Sequence, residues 1–304
     1  RRDLIGTSRS IVALRERIAR LAHVCAPVLV RGEPGTGKRT VAALLHAQGE
    51  RAWWPLVELD LGAVGSAAAV DALFADDGAW QRAAGGTLVV NDLAELPLAG
   101  QAMLFERLEE GAGSGGPRLV ALTAEDLPAL VAAGRFRADL YYALNSTAIP
   151  VPALRDHTED LPELLSHLVD RMVAREGLVY RHFTVAAQNR LRHYDWPGNV
   201  AELASLVRHL LTLGETTEID AAAVNEALAE LRPRVTVAAT AMPLPLDLPL
   251  REARDQFERA YLRHQLRAVG GRIGELAQRV GMERTHLYRK LKSLGIEYGA
   301  KDKS

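Results

Sequence analysis

Along the first half of the chain, short unbroken apolar runs alternate with longer stretches in which apolar residues return at helical spacing. The runs cover residues 28–31, 56–59, 87–91, 118–122 and 148–151. Such runs, interleaved with helical patterns, predict a parallel sheet joined by crossover helices. From residue 159 to 231 the helical period takes over, so this stretch reads as wholly helical. Within it, residues 160–176 read as one amphipathic helix that tolerates Pro162 in its first turn. Pro197-Gly198-Asn199 interrupts the pattern, and Asn199 reads as the cap of a helix over 200–213. Residues 233–249 carry Pro233, Pro243, Pro245 and Pro249 with few charges, which predicts an extended linker. Helical spacing then resumes over 251–269, 273–280 and 284–294, with turns at Gly270-Gly271 and Gly281. The expected organisation is an α/β unit over 1–152, a helical unit over 153–232, the linker over 233–249 and an all-α unit over 250–304.

The turn after the first apolar run changes this picture from architecture to chemistry. Gly32-Glu33-Pro34-Gly35-Thr36-Gly37-Lys38 follows a strand and precedes a helix, the context in which a G-x-x-x-x-G-K match is a phosphate-binding loop. Its glycines let backbone N–H groups curl toward phosphate oxygens, the helix N-terminus adds a positive dipole end, and Lys38 reaches the outer phosphates. Position 39, where many nucleotidases place a magnesium-binding Ser or Thr, is Arg39; Thr40 comes one residue late, about 100° around the helix. The third run ends in Asn91-Asp92, where a nucleotidase has a metal-binding Asp and a water-activating Glu. A neutral Asn91 holds Mg²⁺ less well than a carboxylate, and Asp92, one methylene short of Glu, would misplace a catalytic water. The expected ligand is ATP or ADP, with Mg²⁺ weakened. Further on, Arg135 and Arg137 lie beside Phe136, Tyr141 and Tyr142. An arginine reaching a neighbouring subunit's phosphates and a plain helix start both fit that segment.

Charge divides unevenly. Residues 251–304 hold 13 Lys/Arg against 7 Asp/Glu, whereas residues 1–250 hold 24 against 31. A basic tail on an acidic body suggests a polyanion-binding end. In the last predicted helix Leu287, Leu291 and Leu294 form one buried face, and Arg284, Thr285, His286, Tyr288, Arg289, Lys290 and Lys292 occupy the other. This is the pattern of a helix-turn-helix with a basic second helix: the early positions would read bases, and Arg289, Lys290 and Lys292 would grip phosphates. One cysteine, Cys25, excludes an intrachain disulfide and a cysteine zinc cluster. No apolar run approaches the roughly 18 residues that span a bilayer, so no membrane partner is expected and the compartment reads as cytoplasm. His23, Cys25, Trp53 and Trp54 belong to no constellation and read as structural, and His157 and His167 as decorating a solvated helix. The chain begins with Arg1, so it reads as a piece of a longer protein.

Together these motifs resemble the NtrC-like bacterial enhancer-binding proteins, the AAA+ regulators that activate sigma-54 RNA polymerase. The carriers are Asp3-Leu4-Ile5-Gly6 with Ser8, the segment 26–33, Gly85-Gly86-Thr87-Leu88, Glu95-Leu96-Pro97-Leu98, residues 136–145, Trp196-Pro197-Gly198-Asn199-Val200 and the Fis-like tail. Within the family the tail is most similar to the NtrX branch of two-component response regulators. The resemblance implies a receiver domain before Arg1, a partner sensor kinase, RNA polymerase and double-stranded DNA with a two-fold operator as partners, and a homodimer or higher oligomer. It places Ile5, Gly6, Thr123 and Arg155 beside the nucleotide together with the loop. It also exposes departures. The GAFTGA loop that grips the sigma factor would lie between Phe74 and Gly78, where only Ala75-Asp76-Asp77 stands. The Walker B pair is Asn91-Asp92, the sensor I Asn falls at Ala124, one arginine finger remains at Arg137 while the other falls at Ala143, and the sensor II Arg falls at Ala201. The implied function is a DNA-binding transcription regulator whose AAA+ domain binds nucleotide with impaired hydrolysis and acts at promoters that do not need sigma-54. The alternative is a working ATPase that activates sigma-54 polymerase.

Overall fold

The structure, a computed structural model, describes residues 4–110, 115–214, 216–231, 250–269 and 273–296. The chain divides into two units, Arg1–Leu231 and Arg232–Ser304.

The first unit opens with α1 (Arg9–Ala22), whose N-cap Ser8 accepts the Ile11 N–H at 3.3 Å. Five parallel strands follow: β1 (Val28–Arg31), β2 (Leu56–Asp60), β3 (Thr87–Asn91), β4 (Arg118–Thr123) and β5 (Ile149–Pro150), in the spatial order β2-β3-β4-β1-β5. Helix α2 (Lys38–Ala47) crosses from β1; α3 (Leu61–Val64), α4 (Ala69–Phe74) and α5 (Ala79–Arg82) join β2 to β3. Helix α6 (Leu98–Glu109) joins β3 to β4, and α7 (Leu127–Ala132) with α8 (Ala138–Asn145) leads to β5. Successive strand residues face opposite sides. Val28 and Val30 therefore pack with Ile11, Ile18, Val41 and Leu45 on one face, while Leu29 packs with Leu88, Val90, Leu104 and Leu140 on the other. With both faces covered, β4, most of β3 and the first three residues of β1 are buried, which is why they read as unbroken apolar runs, while β2 at the sheet edge is mostly half-buried.

A helical lid continues the same unit: α9 (Leu161–Glu176), α10 (Val185–Arg192), α11 (Asn199–Leu213) and α12 (Ala221–Leu231). Its core centres on Trp196, fully buried, whose indole N–H donates to the Leu191 carbonyl at 3.0 Å and whose ring meets Tyr194 edge-on at 5.0 Å. The lid is not wholly helical. β6 (His182–Phe183) pairs in parallel with β7 (Glu218–Ile219), a two-residue ladder too short to leave a period in the sequence. The side chain of Asn199 does not cap α11: Gly198 takes that position and its N–H is met by Glu202 Oε2 at 2.7 Å. His157 is buried against Asp160 at 3.1 Å rather than solvated, and Trp53 and Trp54 are exposed.

The second unit has α13 (Leu250–Ala268), α14 (Ile273–Val280) and α15 (Arg284–Ser293). Leu262, Leu276, Ala277, Leu287, Leu291 and Leu294 form its core. Gly281, with φ +66°, makes the turn between α14 and α15 in a conformation that suits glycine. The expected linker over 233–249 and the Gly270-Gly271 turn lie outside the described residues. Among the described residues no helix is long and apolar enough to cross a membrane.

Candidate nucleotide cradle and helix-turn-helix surface

The loop between β1 and α2 sits at the carboxyl end of the sheet, between its neighbours β4 and β5, where parallel α/β folds place ligands. Gly35 and Gly37 hold φ +77° and +96°, so the chain curls there without steric cost. Among the described residues the N–H groups of Gly35, Gly37, Lys38 and Arg39 have no protein acceptor. They crown the N-terminus of α2, a ready anion site. Thr36 is spent locally, its hydroxyl donating to the Glu33 carbonyl at 2.9 Å, and Thr40 is half-buried in the first turn of α2. Lys38 is buried and folded onto the loop, donating to the carbonyls of Gly32 at 2.7 Å and Glu33 at 2.9 Å. Burial pushes its ammonium pKa down, and the Asp92 carboxylate opposes that shift. A cleft of about 540 Å³ opens over Gly35, Lys38, Arg39, Asn91, Asp92 and Ala201.

The far wall of this cleft carries the altered positions. Asn91 ends β3, and its side-chain amide donates to Asp60 Oδ2 at 3.2 Å and to Asp92 Oδ2 at 3.1 Å. Asp92 takes φ +53°, left-handed backbone that a non-glycine residue seldom adopts. Its pKa is raised by burial first and then by Asp60. Arg39 reaches across from α2 to pair with Asp60. Ala124 and Ala201 line the cleft with methyl groups only. Thr123 is buried, its hydroxyl accepting the Glu125 N–H at 3.0 Å. Arg137 lies at the start of α8, its guanidinium held by Asp139 at 3.1 Å through Nε and 2.6 Å through Nη2.

A second group ties loop to lid. Glu33 receives both terminal nitrogens of Arg155, and Asn199 Nδ2 donates to Glu33 Oε2 at 3.1 Å and to the Pro34 carbonyl at 2.9 Å. Asn199 Oδ1 accepts the Leu154 N–H at 2.8 Å, and the Ala201 N–H donates to the Gly35 carbonyl at 3.2 Å. Any Cβ at Gly35 would collide with the Gly198 carbonyl, so loop and lid are in direct contact. The amino-terminal segment joins them: Asp160 Oδ1 accepts the N–H groups of Thr7 and Ser8, each at 2.8 Å, and a Cβ at Gly6 would come within 2.5 Å of that carboxylate. Ile5 packs on the lid core. Sequence reasoning missed Asp160, Glu202 and Arg171, an exposed lid residue lining the same cleft as Lys38. No spacing signal marks Asp160 and Arg171, because each meets segments distant in the chain, whereas Glu202 bonds Gly198 and Tyr194, four and eight residues before it.

The Glu33 carboxyl is lowered from 4.5 to about 2, first by its bonds from Arg155 and then by Asn199. Its folded pKa is below its unfolded one, so the stability it contributes is present above pH 4.5 and is lost as pH falls toward about 2. Across that window the melting temperature of the wild type should fall more steeply than that of Glu33→Gln. Parallel melting curves for the two proteins would contradict a stabilising role for the Glu33 bonds to Arg155 and Asn199.

In the second unit, Arg284, Thr285, His286, Tyr288, Arg289 and Lys292 are exposed on α15. Lys290 is not: it is half-buried, paired at 2.5 Å with Glu258 of α13, which also receives Arg254 Nε at 3.1 Å. Arg284 lies over the start of α14, where a Cβ on Gly274 would come within 2.5 Å of Nη2. On α13 the exposed rings of Phe257 and Tyr261 stack with centroids 6.0 Å apart.

A parallel sheet with a phosphate loop, a helical lid seated on that loop and a separate helix-turn-helix unit together define a bacterial AAA+ transcription regulator. Residues 5–154 match the Sigma-54 interaction domain, 155–241 the AAA+ ATPase lid domain and 253–294 the Fis family of bacterial regulatory proteins. The nitrogen assimilation regulatory protein NtrX of Azorhizobium caulinodans is 34% identical across 96% of this chain and 69% of its own length. The response regulator PilR of Pseudomonas aeruginosa is 35% identical, across 97% and 70%. Crystal structures of NtrX from Brucella abortus in complex with ADP and with ATP each align at a TM-score of 0.70 and 32% identity, covering 97% of this chain and 70% of theirs. The chain belongs to the NtrX-like family of sigma-54-type AAA+ response regulators.

Proposed function

We propose that the chain is the nucleotide- and DNA-binding part of a cytoplasmic transcription regulator, with units near 1–152, 153–232 and 250–304. Its AAA+ domain binds ATP or ADP, turns ATP over very slowly and acts at promoters read without sigma-54. It works as a homodimer or higher oligomer, takes its signal from a sensor kinase through a receiver domain, and meets RNA polymerase at a two-fold operator. Nucleotide binding is supported by the open amides and Lys38 of the cradle and by the ATP and ADP complexes of the Brucella relative. Impaired hydrolysis is supported by Asn91, Ala124 and Ala201 around the cleft. The exposed aromatic pair on α13 offers an apolar face for a second copy.

The observation that carries the promoter assignment is the turn over residues 75–78. The Ala75 N–H donates to the Asp71 carbonyl at 3.0 Å, and the Gly78 N–H to the Ala75 carbonyl at 2.8 Å. Helices α4 and α5 are thus joined directly, with no chain left for a sigma-gripping loop. Turnover should lie far below the ordinary enzyme range of about 1–1000 per second, and Lys38→Ala should abolish nucleotide binding. In transcription with sigma-54 polymerase, ATP and an enhancer template, no activation is expected. The second reading, a sigma-54 activator, is favoured by the match of residues 5–154 to the Sigma-54 interaction domain. Lys38-dependent activation in that assay would establish it.

A further inference from the structure

A nucleoside triphosphate ordinarily enters a phosphate loop with Mg²⁺, which requires hard oxygen donors around it. The residues here do not fit that ion. Where a hydroxyl would stand, α2 presents the guanidinium of Arg39, which pairs with Asp60. Asn91 presents an amide nitrogen to both neighbouring carboxylates, Asp60 at 3.2 Å and Asp92 at 3.1 Å. Among the described residues no group of three or more His, Cys, Asp or Glu is placed to hold a metal.

The same arrangement has a positive use. Arg39 lines the cleft beside Lys38, its side chain about half exposed at 52%. Its bond to Asp60 uses Nη2, and among the described residues Nε and Nη1 have no acceptor. A guanidinium offers paired donors that match phosphate oxygens in a fixed fork, and its charge does not titrate away. Asp60 also anchors the far side: its Oδ1 caps α3 by accepting the Ala63 N–H at 3.2 Å, so the carboxylate that steers Arg39 is itself fixed.

We propose that Arg39 is the resident cation of this cradle, neutralising the outer phosphates of ATP or ADP in place of Mg²⁺, so that nucleotide binding does not require a divalent ion. The inference rests on the nucleotide-binding reading above and adds to it the form of nucleotide recognised, the metal-free anion.

The test is titration of ATP by calorimetry, in EDTA and in excess Mg²⁺, with the full chain. Wild-type affinity should agree within about 3-fold between the two conditions, less than one charge-assisted hydrogen bond is worth. Arg39→Gln should lose about 10–100-fold in EDTA, the range for loss of such bonds. Arg39→Lys, which keeps the charge, should retain most of the EDTA affinity, and its folded melting curve guards against a trivial loss of structure. Arg39→Thr should regain affinity only when Mg²⁺ is added. Wild-type binding that needs Mg²⁺ by 10-fold or more overturns the inference and leaves the nucleotide reading standing; so does an Arg39→Gln protein that binds normally in EDTA. No binding of wild type under either condition overturns both.

Discussion

Replacing Asn199 by Ala should destabilise the first unit by about 3–5 kcal/mol, at the upper end of single-residue effects. The residue is fully buried and makes three hydrogen bonds to two separate segments: to Leu154 at 2.8 Å, Pro34 at 2.9 Å and Glu33 at 3.1 Å. Alanine leaves the Leu154 N–H buried without its partner, at about 1–3 kcal/mol, and removes the hydrogen bonds to the carbonyl of exposed Pro34 and the Glu33 carboxylate, at about 0.5–1.5 kcal/mol each. It must also adopt φ +52°, where asparagine is tolerated and alanine costs about 1–2 kcal/mol more. Asn199→Gly separates the two causes, since glycine takes that φ freely but restores none of the bonds. Urea unfolding followed by tryptophan fluorescence, to which Trp80 in the α/β core and Trp196 in the lid core both contribute, reads the result. A loss below about 1 kcal/mol for Asn199→Ala would mean that water replaces its bonds and that the lid is not held through this residue.

That effect is invisible in the sequence, although the cradle it supports is not. Gly32 to Lys38 is legible because local spacing alone specifies such a loop: glycines where the backbone must curl, a strand before and a helix after. The sheet is legible for a related reason, since strands buried on both faces leave continuous apolar runs. Asn199 misleads because its local neighbourhood, a polar residue before a helix, is also that of an N-cap. Only the positive φ at Asn199 turns its side chain away from α11, and its partners Glu33 and Pro34 lie 166 and 165 residues earlier in the chain. Arg155 meets Glu33 across 122 residues. Such pairings are fixed by how two subdomains dock, and no window of sequence contains both members. Lys290 misleads in the same way: helical periodicity puts it outside the leucine face, yet Glu258 on a different helix draws its ammonium back.

The pairing of Lys290 changes what the DNA-binding surface should do. Arg289 and Lys292 are exposed on α15, whereas Lys290 spends its charge on Glu258. Removing a cation that neutralises one DNA phosphate should flatten the log–log salt dependence of affinity by about 0.9. Arg289→Ala combined with Lys292→Ala should therefore reduce the slope by about 1.8, and weaken operator and scrambled DNA alike. Lys290→Ala should barely move the slope. Its effect should instead be a loss of stability in the three-helix unit, because it leaves the Glu258 carboxylate, now lowered chiefly by Lys290, with Arg254 as its remaining partner. Arg284 is the contrasting case: it sits at the first turn of α15, where such helices meet base edges. Arg284→Ala should cost about 1–3 kcal/mol at one base position and leave scrambled DNA nearly unaffected. The measurement is affinity for both DNAs across salt concentration, with thermal melts of each variant alongside. Should Lys290→Ala flatten the slope by the full value of one phosphate while the tail melts as wild type does, the Glu258 pair yields to DNA and Lys290 belongs with the phosphate-gripping residues after all.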